Sequence, residues 1–374
     1  MQLPSFDPTL VNNGGIDYID SDSGKTAYVN SWNVSIQREL PGKILVDAAY
    51  VGQHGVNLVG SLSNINQVPG RYLSLGSLLT ADINDPAAAA AGILPPYEGF
   101  SGSVAQALRP FPQYSNIGHF QEPTASNRYH SFQLKVQKRF SDGLSFLISY
   151  TASKNITNAP SDSGFSYNGP RPPDTERRQL EWAVATNDIP QNLVGSFVYE
   201  LPFGPNKKMV NKGGAVGKIV GGWQVAGIAR YSAGTPLRIR GGASLPLFGG
   251  ANRPNRVPGV DIRTGVSRSD FDPATDLWLN INAFEAPPPY TIGNVGPRLP
   301  NVRGFSNYNE DFTIFKFIPF TEQMKLEFRA EMYNVFNRVN FGGIGSNINS
   351  PSSFGTVSDV ADPRHIQIML KFHF

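Results

Sequence analysis

The lengths of the connections between predicted strands constrain this fold more than any other feature. Nine segments alternate apolar and polar side chains with a period of two, as half-buried strands do. They lie near residues 32–37, 43–50, 132–137, 144–151, 192–199, 223–231, 309–319, 326–333 and 366–374. Short connections (Pro41-Gly42, Ser141-Asp142-Gly143, 204–221 and Phe320-Thr321-Glu322) alternate with longer ones, of which 60–126 and 241–308 are the longest. The longest two far exceed the usual median of about 4–6 residues.

This alternation distinguishes two all-β architectures. A soluble sandwich has no reason to place every long loop at one end, whereas a transmembrane barrel has tight periplasmic turns and long extracellular loops. The apolar residues of each segment would then face lipid and the polar ones the lumen. Segment 309–319 is apolar on both faces, so its lumen side stays open. Helical signals are confined to residues 85–92 and 214–221. The sequence therefore predicts an all-β, antiparallel transmembrane β-barrel segment.

Composition excludes several classes of function. The chain has no cysteine, which removes thiol chemistry and Cys-based zinc sites. Its five histidines lack the spacing of metal ligands. A net charge of +3 over 374 residues gives no reason to expect nucleic acid. We therefore expect no enzyme activity, no metal, no cofactor and no nucleic-acid partner.

Aromatic side chains lie near the ends of the predicted strands, as the interface girdles of membrane barrels do. The pattern is carried by Trp32, Tyr50, Tyr150, Tyr199, Trp223 and Tyr231. Any one of them could be an ordinary core aromatic, so the prediction of a girdle depends on their joint placement.

Charged side chains on the polar side of the segments are candidate contacts within the lumen. They are Lys135, Arg139, Arg230, Glu327, Arg329 and Glu331. They could contact a substrate, a plug or one another, since Glu327, Arg329 and Glu331 share one face of a strand. Two further cations, Arg38 and Lys138, fall in the apolar register near strand ends, where long side chains snorkel.

The two longest loops carry clusters of arginine and aromatic residues. These clusters are Arg109-Pro-Phe-Pro-Gln-Tyr114, Arg253-Pro-Asn-Arg256 and Phe284-Glu-Ala-Pro-Pro-Pro-Tyr290. Such residues on loops are typical of recognition surfaces. They are equally consistent with packing of the loops over the barrel mouth, and both interpretations stay open.

Several motifs resemble one protein family. They are Trp32-Asn-Val-Ser-Ile-Gln-Arg-Glu-Leu40, Ala49-Tyr-Val-Gly-Gln-His-Gly55, Tyr129-His-Ser-Phe-Gln-Leu-Lys-Val-Gln-Lys-Arg-Phe140, Ser149-Tyr-Thr-Ala-Ser-Lys154, Tyr199-Glu-Leu-Pro-Phe-Gly204, Gly222-Trp-Gln-Val-Ala-Gly227, Phe328-Arg-Ala-Glu-Met-Tyr-Asn-Val-Phe-Asn337 and the C-terminal Asp362 to Phe374. Together they resemble the C-terminal barrel of TonB-dependent outer-membrane transporters. The nearest subgroup carries a carboxypeptidase-regulatory-like domain at its N-terminus. The resemblance covers residues 27–374.

The resemblance implies a longer parent protein in the outer membrane. It implies a signal peptide, a regulatory β-domain, a TonB-contacting segment, a plug and a barrel of about 22 strands. Residues 28–374 would be the C-terminal part of that barrel, and residues 1–27 an extracellular loop remnant. An even strand number places both termini in the periplasm. The first predicted strand begins at the opposite side, which favours a C-terminal piece over a strand hidden in residues 1–27.

The function implied is TonB-dependent uptake of an unknown, bulky nutrient that the extracellular loops capture. The TonB complex would act only through the N-terminal part of the parent, and outer-membrane lipid would surround the strands. Two alternatives are a structural or surface-interaction barrel without transport, and a soluble all-β glycan-binding protein or hydrolase.

The C-terminal strand carries the clearest functional pattern. Ile368, Leu370, Phe372 and Phe374 resemble the signal by which the barrel-assembly machinery recognises its clients. An exposed strand edge offers unpaired donors and acceptors to such a partner. The alternative is a plain edge strand that ends in phenylalanine.

Overall fold

The computed structural model describes most of the chain. The described residues are 14–19, 21–60, 63–159, 172–205, 207–211, 213–242, 245, 247–250, 252–321 and 323–374. Of the predicted loop remnant 1–27, residues 1–13 and 20 lie outside the described residues.

Nine long strands form one antiparallel sheet, here called the wall. They are β1 (Tyr28–Leu40), β2 (Ile44–Leu58), β3 (Ala125–Ser141), β4 (Leu144–Thr157), β5 (Gln191–Glu200), β6 (Trp223–Ser232), β7 (Asn307–Pro319), β8 (Lys325–Tyr333) and β9 (His365–His373). Each strand pairs with the next along the chain, so their order in the sheet is their order in sequence. A two-residue strand, Ala183–Val184, adds to the end of β4. The nine predicted strands are confirmed.

The wall has one apolar face and one polar face. In an antiparallel sheet, residues directly opposite each other lie on the same face. One such row runs across six strands through Ile36, Ala48, Leu134, Tyr150, Leu193 and Tyr231. The other rows of paired residues place the apolar residues predicted for each strand except β7 on this same face. The alternate residues, among them Gln37, Lys135 and Arg230, form the polar face.

Pairing of β7 with β8 settles which side of residues 309–319 faces which way. Thr313 and Phe315 lie opposite Glu331 and Arg329, so the odd-numbered residues belong to the polar face. Phe312, Ile314 and Ile318 therefore belong to the apolar face, together with two charged residues, Glu310 and Lys316. Neither charge was predicted to lie on this face.

The two ends of the wall differ in how the strands connect. At the turn end the connections are residues 41–43, 142–143, 201–222 and 320–324. At the loop end they are residues 59–124, 158–190, 233–306 and 334–364. The described residues of these four loop-end connections are here called the cap. Every long connection except 201–222 therefore belongs to the cap, as the sequence predicted.

Short helices occur only in the connections of the described chain. They are α1 (Pro86–Ala90), α2 (Val104–Ala107) and α3 (Gly214–Val220), with 3-10 turns at Gly70–Thr80, Arg178–Glu181, Ile281–Ala283 and Pro351–Ser353. The Asp85 side chain caps α1 by accepting the Ala87 N–H at 2.8 Å, and both helices predicted from sequence, α1 and α3, are present. None of the described helices is both long and apolar enough to cross a membrane.

Three small sheets are separate from the wall. Gly15–Tyr18 and Ser63–Asn64 flank Asn116–His119, while Asn255–Arg256 pairs with Phe284–Glu285 and Phe341–Ile344 with Val357–Val360. Gly15–Tyr18 runs parallel to Asn116–His119 and does not join the wall. The sequence favoured a C-terminal piece over a strand hidden in residues 1–27, and in the described part of that segment Gly15–Tyr18 is a strand of a small sheet rather than of the wall.

The buried apolar cores lie in the cap rather than on the wall. One is built around Leu79, Val104 and Leu247, and the other around Trp278, Leu279 and Phe354. Among the described residues, Ala125 at the start of β3 is the only wall residue in the buried apolar set. On the wall, by contrast, Val34, Ile36 and Ile368 are 67, 75 and 69 % exposed. The apolar face is therefore not covered by protein.

Two glycines of the apolar face lie beneath aromatic rings. A Cβ at Gly52 would come within 2.3 Å of the Trp32 ring, and one at Gly227 within 2.6 Å of the Phe197 ring. Each ring lies over the glycine of the neighbouring strand and fills the space that a larger side chain at that position would need. Gly195, on the same face, has no such neighbour, since its Cβ would lie 4.0 Å from Ile148.

We expect Gly52→Ala to destabilise the folded protein by about 1–3 kcal/mol, because the new methyl group displaces the Trp32 ring. Gly195→Ala is the matched control and should be neutral or slightly stabilising, because it adds a methyl group in open space and reduces the entropy of the unfolded chain. Urea unfolding of the detergent-solubilised protein measures both. Equal midpoints for the two variants would contradict the packing described.

Candidate ligand-facing surface

The polar face is concave and carries the candidate lumen residues. A cavity of about 520 Å³ is lined by residues from six consecutive strands, β3 to β8, including Ser145, Ser196, Thr313 and Glu331 of the polar face. One cavity touches that many neighbouring strands only if the sheet curves around it. The apolar face is therefore the convex one, which is the arrangement of a barrel wall with its lumen on the polar side.

A second cavity lies at the loop end of the polar face. It has a volume of about 890 Å³, within the range of about 300–1,000 Å³ typical of small-molecule sites. Arg230, Asn309, Asp311, Tyr333 and Gln367 reach it from β6 to β9. Asn334, Asn340, Asp362 and His365 close it from the cap side and the start of β9. The lining is mainly amides, carboxylates and hydroxyls, which suit a polar, hydrogen-bonding ligand.

Three of the six predicted lumen charges form one network on β8. Arg329 donates from Nε to Glu327 Oε1 at 2.8 Å and from Nη1 to Glu331 Oε1 at 3.3 Å. His373 of β9 lies 3.0 Å from Glu327 Oε2, and the Tyr333 hydroxyl donates to Glu331 Oε2 at 2.9 Å. The Glu327 carboxylate is buried, while Arg329 is half-buried. Pairing among these residues is therefore observed.

The other three predicted lumen charges are apart from this network. Lys135 is exposed on the polar face, opposite Asp47 and Ser149. Arg230 is exposed beside the larger cavity. Arg139 lies in the irregular end of β3 at the turn end, where its backbone N–H bonds to Lys43 O at 3.1 Å. The structure thus gathers only Arg230 of these three at the larger cavity.

The predicted girdle residues all lie on the apolar face, at two levels. Trp32, Tyr50, Tyr150 and Tyr231 lie towards the loop end, and Tyr199 and Trp223 towards the turn end. Tyr50 bonds to His130 Nδ1 at 2.6 Å, and the Trp32 and His130 rings are 6.3 Å apart. Tyr231 donates to Glu310 at 2.8 Å. Polar tips on aromatic rings suit a boundary between lipid and water.

The arginines of the cap hold the loops together. Arg109 donates to the carbonyls of Asn66 and Ser115 at 2.7 Å each, and burial lowers the pKa of its guanidinium. Arg253 pairs with Glu181 at 2.5 Å. Arg256 donates to the Ala283 carbonyl at 2.9 Å and lies 5.8 Å from the centre of the buried Phe284 ring. Packing, one of the two open interpretations of these clusters, is therefore what the structure shows.

Another ion pair, missed in the sequence, joins two loops. Arg303 donates to Asp188 Oδ2 at 2.5 Å and to the carbonyls of Asp188 and Gly234 at 2.8 and 3.2 Å. The Asp188 carboxylate also accepts the Asn155 N–H at 2.6 Å. These contacts tie residues 158–190 to residues 233–306 and to the end of β4. A separation of 115 residues leaves no local pattern that could have shown this pair.

A scan against protein-family models decides the class. Residues 3–367 match the model described as the outer membrane beta barrel domain. This chain belongs to that family. The outer-membrane barrel explains the uncovered apolar face, because lipid replaces a protein core there. It confirms the predicted fold and outer-membrane location, and it agrees with the prediction that the chain is not an enzyme.

Solved outer-membrane proteins resemble the chain in fold. The pyoverdine receptor FpvA from Pseudomonas aeruginosa PAO1 is 12 % identical over 93 % of this chain and 30 % of that one, with a TM-score of 0.40. The transporter YddB from Escherichia coli is 10 % identical over 96 % and 34 %, with a TM-score of 0.45. The iron transporter FrpB from Neisseria meningitidis is 10 % identical over 95 % and 32 %, with a TM-score of 0.40.

The chain spans about a third of the length of these three structures. No curated protein matches it.

We expect Arg329→Met to destabilise the barrel by about 1–3 kcal/mol, because the buried Glu327 carboxylate loses a charged donor. Arg230→Met is the control on the same face. Arg230 is exposed, so this change should alter stability by less than about 0.5 kcal/mol. Denaturant unfolding followed by gel mobility without heating measures both. An unchanged midpoint for Arg329→Met would show that the network is solvated and contributes little.

Proposed function

We propose that the nine strands are one arc of a larger outer-membrane barrel that takes up a bulky, polar ligand by TonB-dependent transport. The observation that carries this proposal is the 890 Å³ polar cavity at the loop end of the concave face. It opens between the wall and the cap, where a ligand arriving from outside first meets the lumen.

The strand directions support a larger barrel. Among the described residues, the outer edges of β1 and β9 have no strand partner in the wall. Neighbouring strands alternate in direction, so the first and ninth run the same way. Direct closure would therefore pair them in parallel, and closure by antiparallel pairing alone needs an odd number of further strands. A barrel of about 22 strands meets this condition, since it adds about 13.

The orientation follows from the connections. Bacterial barrels place short turns in the periplasm and long loops outside the cell. The turn end is thus periplasmic and the cap extracellular. The cap would capture the ligand at its polar cavity, and a plug contacting the lumen charges would be displaced when the TonB complex acts through an N-terminal part of the protein. The amides and carboxylates that line the cavity favour a polar ligand over an aromatic or aliphatic one.

Uptake is tested with fluorescent oligosaccharides and peptides of graded size, in cells expressing the outer-membrane protein. We expect saturable uptake of at least one probe that stops when TonB is removed. Asn309→Trp, which fills the cavity, should reduce that uptake by about tenfold or more, on the scale of a lost binding site. Lys154→Gln is the control, because Lys154 is exposed on the apolar face, away from the cavity.

Two results would contradict the proposal. Uptake that rises linearly with concentration and ignores TonB would indicate an open pore. Surface binding of a probe without entry would favour the structural or surface-interaction barrel instead.

We also propose that the edge of β9 is the assembly signal. Ile368, Leu370 and Phe372 lie on its apolar face, and Phe374, which follows it, is 96 % exposed and stacks with Phe372 at 6.5 Å. Phe374 makes few contacts that stabilise the folded wall, so its side chain is free to contact a partner before insertion.

We expect Phe374→Ala to lower the amount of protein assembled in the outer membrane several-fold. The free energy of unfolding of the assembled fraction should stay within about 0.5 kcal/mol of wild type. Phe336→Ala is the control, since Phe336 is an equally large side chain, 67 % exposed, in a cap loop. Quantitative blots of outer-membrane fractions measure assembly. Equal assembly of the two variants would leave β9 as a plain edge strand.

A further inference from the structure

The connection between β5 and β6 is unlike the others at the turn end, because its described residues (201–205, 207–211 and 213–222) form a separate element that contains α3. Gly204, with φ of +104°, approaches Gly221 so closely that a Cβ would lie 2.6 Å from the Gly221 Cα. The Gly204 N–H also bonds to Met209 O at 3.2 Å, and the Met209 N–H to Pro202 O at 2.8 Å. Only glycine, which has no Cβ, fits at so close an approach, so the contact between Gly204 and Gly221 fixes the position of α3.

Two side chains of the apolar face hold the end of α3. Lys316 donates from Nζ to the carbonyls of Lys218 and Ile219 at 2.5 and 3.0 Å. Trp223 donates from Nε1 to the same Ile219 carbonyl at 3.0 Å. These carbonyls have no partner within the helix, and a cation is favourable beside them. Because Lys316 and Trp223 lie on the apolar face, the last turn of α3 lies on the lipid side of the wall.

The surface of this element is both apolar and basic. Val216 and Ile219 of α3 are 50 and 70 % exposed, and Met209 and Val210 are 53 and 46 % exposed. Residues 201–222 contain four lysines and no aspartate or glutamate. Lys208 and Lys218 are exposed, whereas Lys207 pairs with Glu200 of β5 at 3.1 Å. Exposed aliphatic side chains next to lysines are typical of segments that lie in a membrane interface.

We infer that this element binds the phosphate headgroups of anionic phospholipid at the rim of the barrel, with Val216 and Ile219 inserted among the acyl chains and Lys208 and Lys218 on the phosphates. Charge complementarity identifies the occupant, because Lys208 and Lys218 are exposed in a segment that contains no aspartate or glutamate, and exposed cations attract an anionic surface. The position on the lipid side excludes the lumen and its ligand.

The membrane leaflet identifies the source of the phosphate. Short turns face the periplasm, and the periplasmic leaflet of the outer membrane consists of phospholipid, whereas the outer leaflet is lipopolysaccharide. Arg38 and Lys138 of the apolar register lie at the same end of the wall, and Lys138 reaches the Gly42 carbonyl at 2.9 Å. The cations therefore continue along the rim. The inference rests on the outer-membrane location and the orientation of the turns, and it is independent of ligand uptake.

The test is native mass spectrometry of the protein purified from outer membranes in detergent, titrated with cardiolipin, with lipid A and with phosphatidylcholine. The double variant Lys208→Gln, Lys218→Gln should weaken cardiolipin binding by about fivefold for each lysine removed. Ile219→Ser should weaken it several-fold without any change in charge. Lipid A also carries phosphates and should lose affinity in the same variants in detergent, whereas phosphatidylcholine, which has no net charge, should bind weakly to all.

Lys154→Gln is the matched control, because Lys154 is an exposed lysine on the same apolar face but at the loop end. It should leave cardiolipin binding at the wild-type level. Wild-type cardiolipin affinity in the double variant would overturn the inference. Retention of lipid A by the wild-type protein as purified, with its loss in the double variant, would overturn the assignment to phospholipid. An equal effect of Lys154→Gln would overturn the assignment to residues 201–222.

Discussion

Pairing of backbone N–H and C=O groups between neighbouring strands is the constraint on which the rest of this structure depends. Lipid supplies no donors or acceptors, so a wall that faces it must satisfy its backbone groups within the sheet. Continuous antiparallel pairing does this across nine strands, and it also fixes the register. Once the register is fixed, every second side chain faces lipid and the others face the lumen. The apolar and polar faces therefore follow from one pattern of hydrogen bonds.

Much of the wall could be predicted from the sequence because its pattern is local. A period of two in residues such as Leu144, Phe146 and Ile148 needs no knowledge of the partner strand. The side of residues 309–319 could not be predicted, because both faces are apolar there and only pairing with Glu331 and Arg329 distinguishes them. Lys316 and Glu310 break the alternation, since their charges are satisfied by α3 and by Tyr231 and Arg338.

The cap was the harder part to predict. Its cores join residues far apart in sequence, as Leu79 and Leu247 show, and no periodicity marks such contacts. Arginines whose pattern fitted either a recognition surface or loop packing bond to backbone carbonyls within the loops. The wall and the cap are thus stabilised by different means. The wall depends on backbone pairing in lipid, and the cap depends on buried apolar side chains in water. The candidate ligand cavity lies where these two meet.

The separation of the cap cores from the wall has an evolutionary consequence. Exposed cap positions such as Leu94 and Phe111 lie outside both cores, at 72 and 44 % exposure. Substitutions there leave both the cores and the strand register unchanged. In the proposed orientation the cap faces outwards, so phages and antibodies that reach the cell from outside meet these positions first. Mutation can therefore alter what such attackers recognise while the candidate ligand cavity keeps its shape, so a changing outer surface and a constant cavity are not in conflict.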